Sequence, residues 1–152
     1  MILGFKKTML VDGKIKPTNF VDKIKNGVKL HTIRQDSSRR WKAGNSIQFA
    51  TGVRTKYYDK FKEGECKSVQ EIEIQYLNYS GADYPIVVID GFHFYNPIVN
   101  IDYGMVDLAI NDGFDSIEDF FKWFKEDFKG VLIHWTDMKY DRKYRLLTLN
   151  NE

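Results

Sequence analysis

Short apolar runs of strand length, interleaved with a few short helical stretches, predict an α+β fold: a mixed, partly closed β-barrel of about six strands with short flanking helices. Two further observations support that class. No repeat, linker or low-complexity segment divides the chain, so residues 1–152 read as one domain. Folding a chain of 152 residues buries roughly 70% of the surface its unfolded form exposes, enough for a core without staples.

Ile2 to Phe5 reads as a first strand, with no basic region before it and no long apolar run that would make it a signal peptide. Residues 17–27 read as a short helix with Phe20, Val21 and Ile24 on its apolar stripe and Gly27 as the left-handed stop. An extended run follows from Lys29, with His31 and Ile33 on one face and Leu30, Thr32 and Arg34 on the other. Residues 42–45 make a turn into a strand over 46–52, with Ile47 and Phe49 inward. Residues 57–64 read as a loop or a two-turn helix.

Alternation over 65–77 predicts a strand, with a bulge or bend near Val69–Glu71 where the register changes. Residues 85–91 form a continuous apolar run, a buried strand that Phe92 to Tyr95 would extend, with 78–83 as its hairpin loop. Val106 to Asn111 reads as a short helix ending at Asp112-Gly113. Residues 115–124 carry the strongest helix signal: Asp115 or Ser116 as cap, acids in the first turn, and Ile117, Phe120, Phe121 and Phe124 on the buried face. Residues 130–135 read as a final core strand, and Tyr144 to Leu149 as one more.

Net charge is +2, from 23 basic and 21 acidic residues, but the charge is segregated along the chain. Residues 39–62 hold seven Lys or Arg against one acid, and 102–119 hold six acids with no Lys or Arg. A single cysteine, Cys66, excludes an internal disulfide and fits a reducing compartment. The three histidines, His31, His93 and His134, are far apart, with no zinc-type spacing, so no metal and no cofactor is expected. Each of them reads as a satisfied strand or core histidine. No segment reaches the roughly 18 apolar residues of a membrane span, which predicts a soluble, cytoplasmic protein.

Chemistry concentrates between Lys29 and Phe61. Arg34, Arg39, Arg40, Lys42, Arg54 and Lys56 can neutralise phosphates, while Trp41 and Tyr57 can stack on bases. The pattern fits a nucleic acid, a nucleotide or small anion, or a solvated loop over half-buried aromatics. Aromatic content of 15% exceeds the needs of one small core, and a protein-interaction surface around Tyr57–Phe61 and Tyr84–Tyr95 is a further reading. Thr32 becomes a nucleophile only if a base takes its proton, and Lys29 serves if burial or a neighbouring cation such as Arg34 lowers its pKa. Strand alternation puts the two on opposite faces, so convergence requires Lys29 in the turn before the strand.

Lys29-x-x-Thr32-x-Arg34 after a short helix, the Gly44-Asn45 turn, Asp112-Gly113-Phe114-Asp115-Ser116 leading into a helix, and a strand over 131–135 together resemble the ASCH domains, a family of PUA-like fold. The resemblance implies a cleft for RNA or a modified nucleoside. Some bacterial relatives of that family are amidohydrolases that deacetylate 4-acetylcytidine with a Lys, a Thr and a Glu, and others are ribonucleases. It assigns Lys29 and Thr32 to the first two roles and Asp112, expected exposed at its turn, to the third. Asp112 is one methylene shorter than the family's Glu, which leaves Glu71 and Glu73 as fallback acids.

Overall fold

In a computed structural model, which describes residues 1–141, the chain is α+β and dominated by strands. The first strand, β1 (Ile2–Gly4), runs parallel to β5 (Ser46–Thr51), and β6 (Asp59–Glu65) returns antiparallel to complete a three-stranded sheet. A separate hairpin joins β2 (Thr8–Val11) to β3 (Lys14–Pro17). After α1 (Phe20–Lys25) comes β4 (His31–Arg34), one edge of a six-stranded antiparallel sheet. The rest of that sheet is β7 (Ser68–Tyr79), β8 (Ala82–Ile89), β9 (Phe92–Asn96), β10 (Ile101–Asp102) and β11 (Phe128–His134), in the order β10-β9-β8-β7-β11-β4. Two helices, α2 (Met105–Asn111) and α3 (Ile117–Trp123), lie between β10 and β11 in the chain.

Six strands is thus the size of the large sheet alone; the described residues make eleven strands in three sheets, which do not close into a barrel. The gap falls between β4 and β1, both edge strands, where the Arg34 side chain donates to the Gly4 carbonyl at 2.6 Å in place of a backbone ladder. Trp135 packs edge-on against Phe5 and Phe49 and fills the space between the two sheets.

Several expectations change. Residues 59–65 form a strand rather than a helix, because pairing with β5 supplies backbone partners that their polar sequence does not advertise. Asp90-Gly91, both with positive φ, turn the chain back, so Phe92 starts β9 instead of extending β8. Ser80-Gly81 does the same between β7 and β8, a shorter loop than 78–83. No register shift interrupts β7 near Val69; the irregularities fall at Phe49/Ala50 and Val87/Val88. His93 is exposed on β9, not buried.

Ser116 is the cap of α3, its Oγ accepting from the Asp119 N–H at 3.1 Å. Asp102 does the corresponding work for α2, its Oδ1 accepting from the Gly104 and Met105 N–H groups. The acidic run does not form an open face: Asp115 pairs with Lys16 and Lys23, and Asp119 with Lys16. Among the described residues no helix is long and apolar enough to cross a membrane. The strand expected over 144–149 lies outside the described residues.

Candidate active site

Two backbone connections bring the key side chains together. Beyond α1, Gly27 takes φ +73°, and the Val28 and Lys29 N–H groups both donate to the Lys23 carbonyl, at 2.8 and 2.9 Å. Leu30 N–H then donates to the Asn111 carbonyl at 2.7 Å, docking this turn on the end of α2. Lys29 therefore lies in the helix-to-strand turn, as convergence with Thr32 requires, and Asp112 is the C-cap residue of the helix beside it.

Gly113 makes the approach possible. Its φ is +96°, and a Cβ there would sit 2.8 Å from Lys29 Cδ and 2.9 Å from the Phe20 ring. Only a residue without a side chain lets the Lys29 stem pass.

Lys29 is 1% exposed, and Asp112, expected at the surface, is 3% exposed. The Lys29 ammonium donates to the Asp112 main-chain carbonyl, lies 3.5 Å from Asp112 Oδ1, and sits 4.7 Å from the centre of the Phe20 ring. Burial pulls the Lys29 pKa down to about 8; Arg34 pushes the same way, while the Asp112 carboxylate opposes it without cancelling the desolvation. Roughly a tenth of Lys29 is then neutral at pH 7, against less than a thousandth of an ordinary lysine.

Asp112 is held from its other side by a histidine. Its Oδ1 lies 3.1 Å from His31 Nδ1, and His31 Nε2 lies 2.6 Å from the Tyr140 hydroxyl. A carboxylate oxygen only accepts, which assigns the proton to Nδ1 and leaves Nε2 to accept from Tyr140. The Tyr140 oxygen in turn accepts from Asn111 Nδ2 at 3.0 Å. Burial lowers the His31 pKa, so the ring stays neutral and directional.

Below it His134, its pKa brought down to about 3 chiefly by burial, donates from Nε2 to Gln70 Oε1 at 2.9 Å. Its Nδ1 has no hydrogen-bond partner among the described residues.

Thr32 alternates with Ile33 on β4, and its Oγ1 accepts from Arg34 Nε at 3.4 Å. Lys29, Thr32, Arg34 and Asp112 all line one cavity of about 290 Å³, walled by Phe5, Phe20, Phe114, Trp123, Phe124 and Phe128. The three candidate catalytic residues are thus brought together, with Arg34 beside them.

The remaining candidates are dispersed. Arg39, Trp41 and Lys42 line a separate groove of about 970 Å³ on the large sheet, with Glu71, Glu73 and Lys129. Glu71 and Glu73 therefore do not line the Lys29 cavity, and Asp112 is its acid. Arg40 is exposed, its N–H donating to Asp36 at 2.9 Å. Arg54, Lys56 and Tyr57 belong to the β5–β6 connection, where Lys56 lies 5.2 Å from the Tyr57 ring centre. The basic, aromatic stretch that reads as one surface in the sequence is split among three places. Among the described residues no group of three or more His, Cys, Asp or Glu is arranged to hold a metal ion.

Comparison with protein-family models, curated proteins and solved structures finds no match to this chain.

Sequence reasoning missed the parts of the site that act through burial. His31 reads as a core histidine and is one, yet its ring is what orients Asp112. Part of the aromatic wall had a signal in Phe20 and Phe124, which read as packing residues of their helices. Lys6, which also lines the cavity, had no signal at all.

Proposed function

We propose that this cavity binds a modified nucleoside and hydrolyses an acyl amide on its base, the 4-acetylcytidine type of reaction, within an ASCH-like domain of PUA-like fold. The observation that carries this reading is a fully buried lysine with its pKa near 8, opening with Thr32 onto an aromatic-walled cavity. The cavity volume of about 290 Å³ is at the small end of ligand sites and suits one planar base better than a strand.

Neutral Lys29 takes the Thr32 proton as Oγ1 attacks the acyl carbonyl carbon. Arg34, whose Nε already donates to Thr32 Oγ1, holds the nucleophile in place and stands beside the acyl carbonyl oxygen, where the negative charge develops. The tetrahedral intermediate collapses as the Lys29 ammonium returns its proton to the departing base nitrogen, leaving an acyl ester on Thr32. Water then attacks the ester with Lys29 again as base, releasing the carboxylic acid and restoring the hydroxyl. Asp112, locked by His31, keeps the ammonium aimed through both steps.

The test is incubation with 4-acetylcytidine and a panel of acylated nucleosides, the products read by mass spectrometry, with Lys29→Ala as control. Deacylation that the variant loses supports the reading, and absence of turnover on every member of the panel removes it.

Binding of an RNA strand is a second reading, favoured by Trp41 with Arg39 and Lys42 on the large groove. Four acids, Asp36, Glu71, Glu73 and Asp90, line the same groove, so its field is mixed in sign and weakens that reading.

A further inference from the structure

The cavity has more cations than it can neutralise. Lys6, Lys29 and Arg34 line it, and among the described residues Asp112 is the only acid that does. That acid is already engaged by Lys29 and His31. Among the described residues neither Arg34 nor Lys6 forms an ion pair; two of the five Arg34 N–H groups hold the Gly4 carbonyl and the Thr32 hydroxyl, and its guanidinium lies 5.2 Å from the centre of the Phe5 ring. A half-buried guanidinium that shares its nearby carboxylate, Asp112, with Lys29 and His31 is an arrangement that a further anion relieves.

Lys6 is placed to help. Its carbonyl accepts from Thr18 Oγ1 at 2.7 Å, which holds the backbone, while its ammonium lies 5.8 Å from the centre of the Trp123 ring in the cavity wall. Lys6 and Phe20 also line an adjoining pocket of about 310 Å³, so Lys6 stands where the two spaces meet. A base between the aromatic rings would leave its sugar and any phosphate at that junction.

We infer that the ligand of this cavity is a phosphorylated nucleoside, its base among the aromatic rings and its phosphate held by Arg34 and Lys6. This rests on the nucleoside reading above and narrows it: the free nucleoside is the poorer ligand. Phosphate suits both groups, since Arg34 offers a planar fork and Lys6 a point charge that screening weakens.

Calorimetric titration with cytidine, with its 5′- and 3′-monophosphates and with a cytidine trinucleotide tests this without requiring turnover. At low salt one monophosphate should bind at least tenfold more tightly than cytidine. Lys6→Met, a change at an exposed position, should remove most of that gain, and so should raised salt. A trinucleotide that binds better than the monophosphates places the phosphate in an RNA strand; one that binds no better places it on a single nucleotide. Equal affinity for cytidine and both monophosphates, or a gain that survives Lys6→Met, overturns the inference while leaving the nucleoside reading intact. Monophosphate binding without deacylation of any panel member does the reverse, and no binding of any probe removes both.

Discussion

The large groove and the Lys29 cavity hold similar residue types and opposite physics. In the large groove Lys129 is 81% exposed and lies 3.8 Å from Glu73, a solvated pair that contributes at most about 1 kcal/mol. In the Lys29 cavity Lys29 and Asp112 are withdrawn from water, and desolvation rather than pairing sets the Lys29 pKa. The groove has more volume and more charged side chains, yet it is the cavity that takes a lysine out of water. Density of polar residues is a poor guide to reactivity; a charge becomes a usable base where the fold removes its water.

The widest separation between the regions should appear in rate. Lys29→Met should lower deacylation by about 10²–10⁴-fold, whereas Glu71→Gln in the groove should leave kcat within about twofold. Steady-state kinetics on both, with circular dichroism to confirm folding, checks this. A groove variant as damaging as the cavity variant would break the contrast.

A pair of glycines sharpens it through stability. Gly113→Ala meets both the Lys29 stem and the Phe20 ring and should cost about 2–4 kcal/mol, with loss of turnover. Gly91 lines the groove with φ +79° and open space around a Cβ, so Gly91→Ala should carry only the backbone cost of about 1–2 kcal/mol. Denaturant unfolding of the two variants gives the difference directly.

A third contrast lies in the pH dependence of stability. Lys29 has a folded pKa of about 8 against 10.5 for an ordinary lysine, so between those values the unfolded chain holds more protons and stability rises with pH. His134 behaves alike lower down: with a folded pKa near 3 against 6.5, stability falls as pH drops from about 6.5 towards 3. Lys29→Met should flatten the alkaline rise and leave the acid limb in place. Unfolding midpoints measured across pH 4–10 test both limbs, and a wild-type curve that is flat from 8 to 10.5 would contradict the burial account of Lys29.

Much of the element order was legible because it depends on neighbours in the chain. Gly27 ends a helix wherever it follows an amphipathic turn, Ser116 caps α3 through its own third neighbour, and the apolar run at 131–133 has no stable place except a core. The β2–β3 hairpin did carry a local signal, Asp12-Gly13 with both residues at positive φ between apolar Met9–Val11 and Ile15, but it went unread. β6 was not legible: it is largely polar and exposed, and its strand character comes from its partner rather than from periodicity. Asp112 was legible as a candidate but not as a buried group, since nothing local shows that residues 29–31 will cover it.

By itself, then, the sequence determined the class, the helices near the site and the residue types available to it: Lys29, Thr32 and Arg34 around one strand and Asp112 at one helix end. Tertiary structure decided which of them act together. The Leu30–Asn111 backbone bond, the passage beside Gly113 and the stop of β4 at the edge of its sheet join segments some 80 residues apart. The lowered pKa of Lys29 followed from that step, because desolvation is a property of everything packed around a charge and is written in no single stretch of chain.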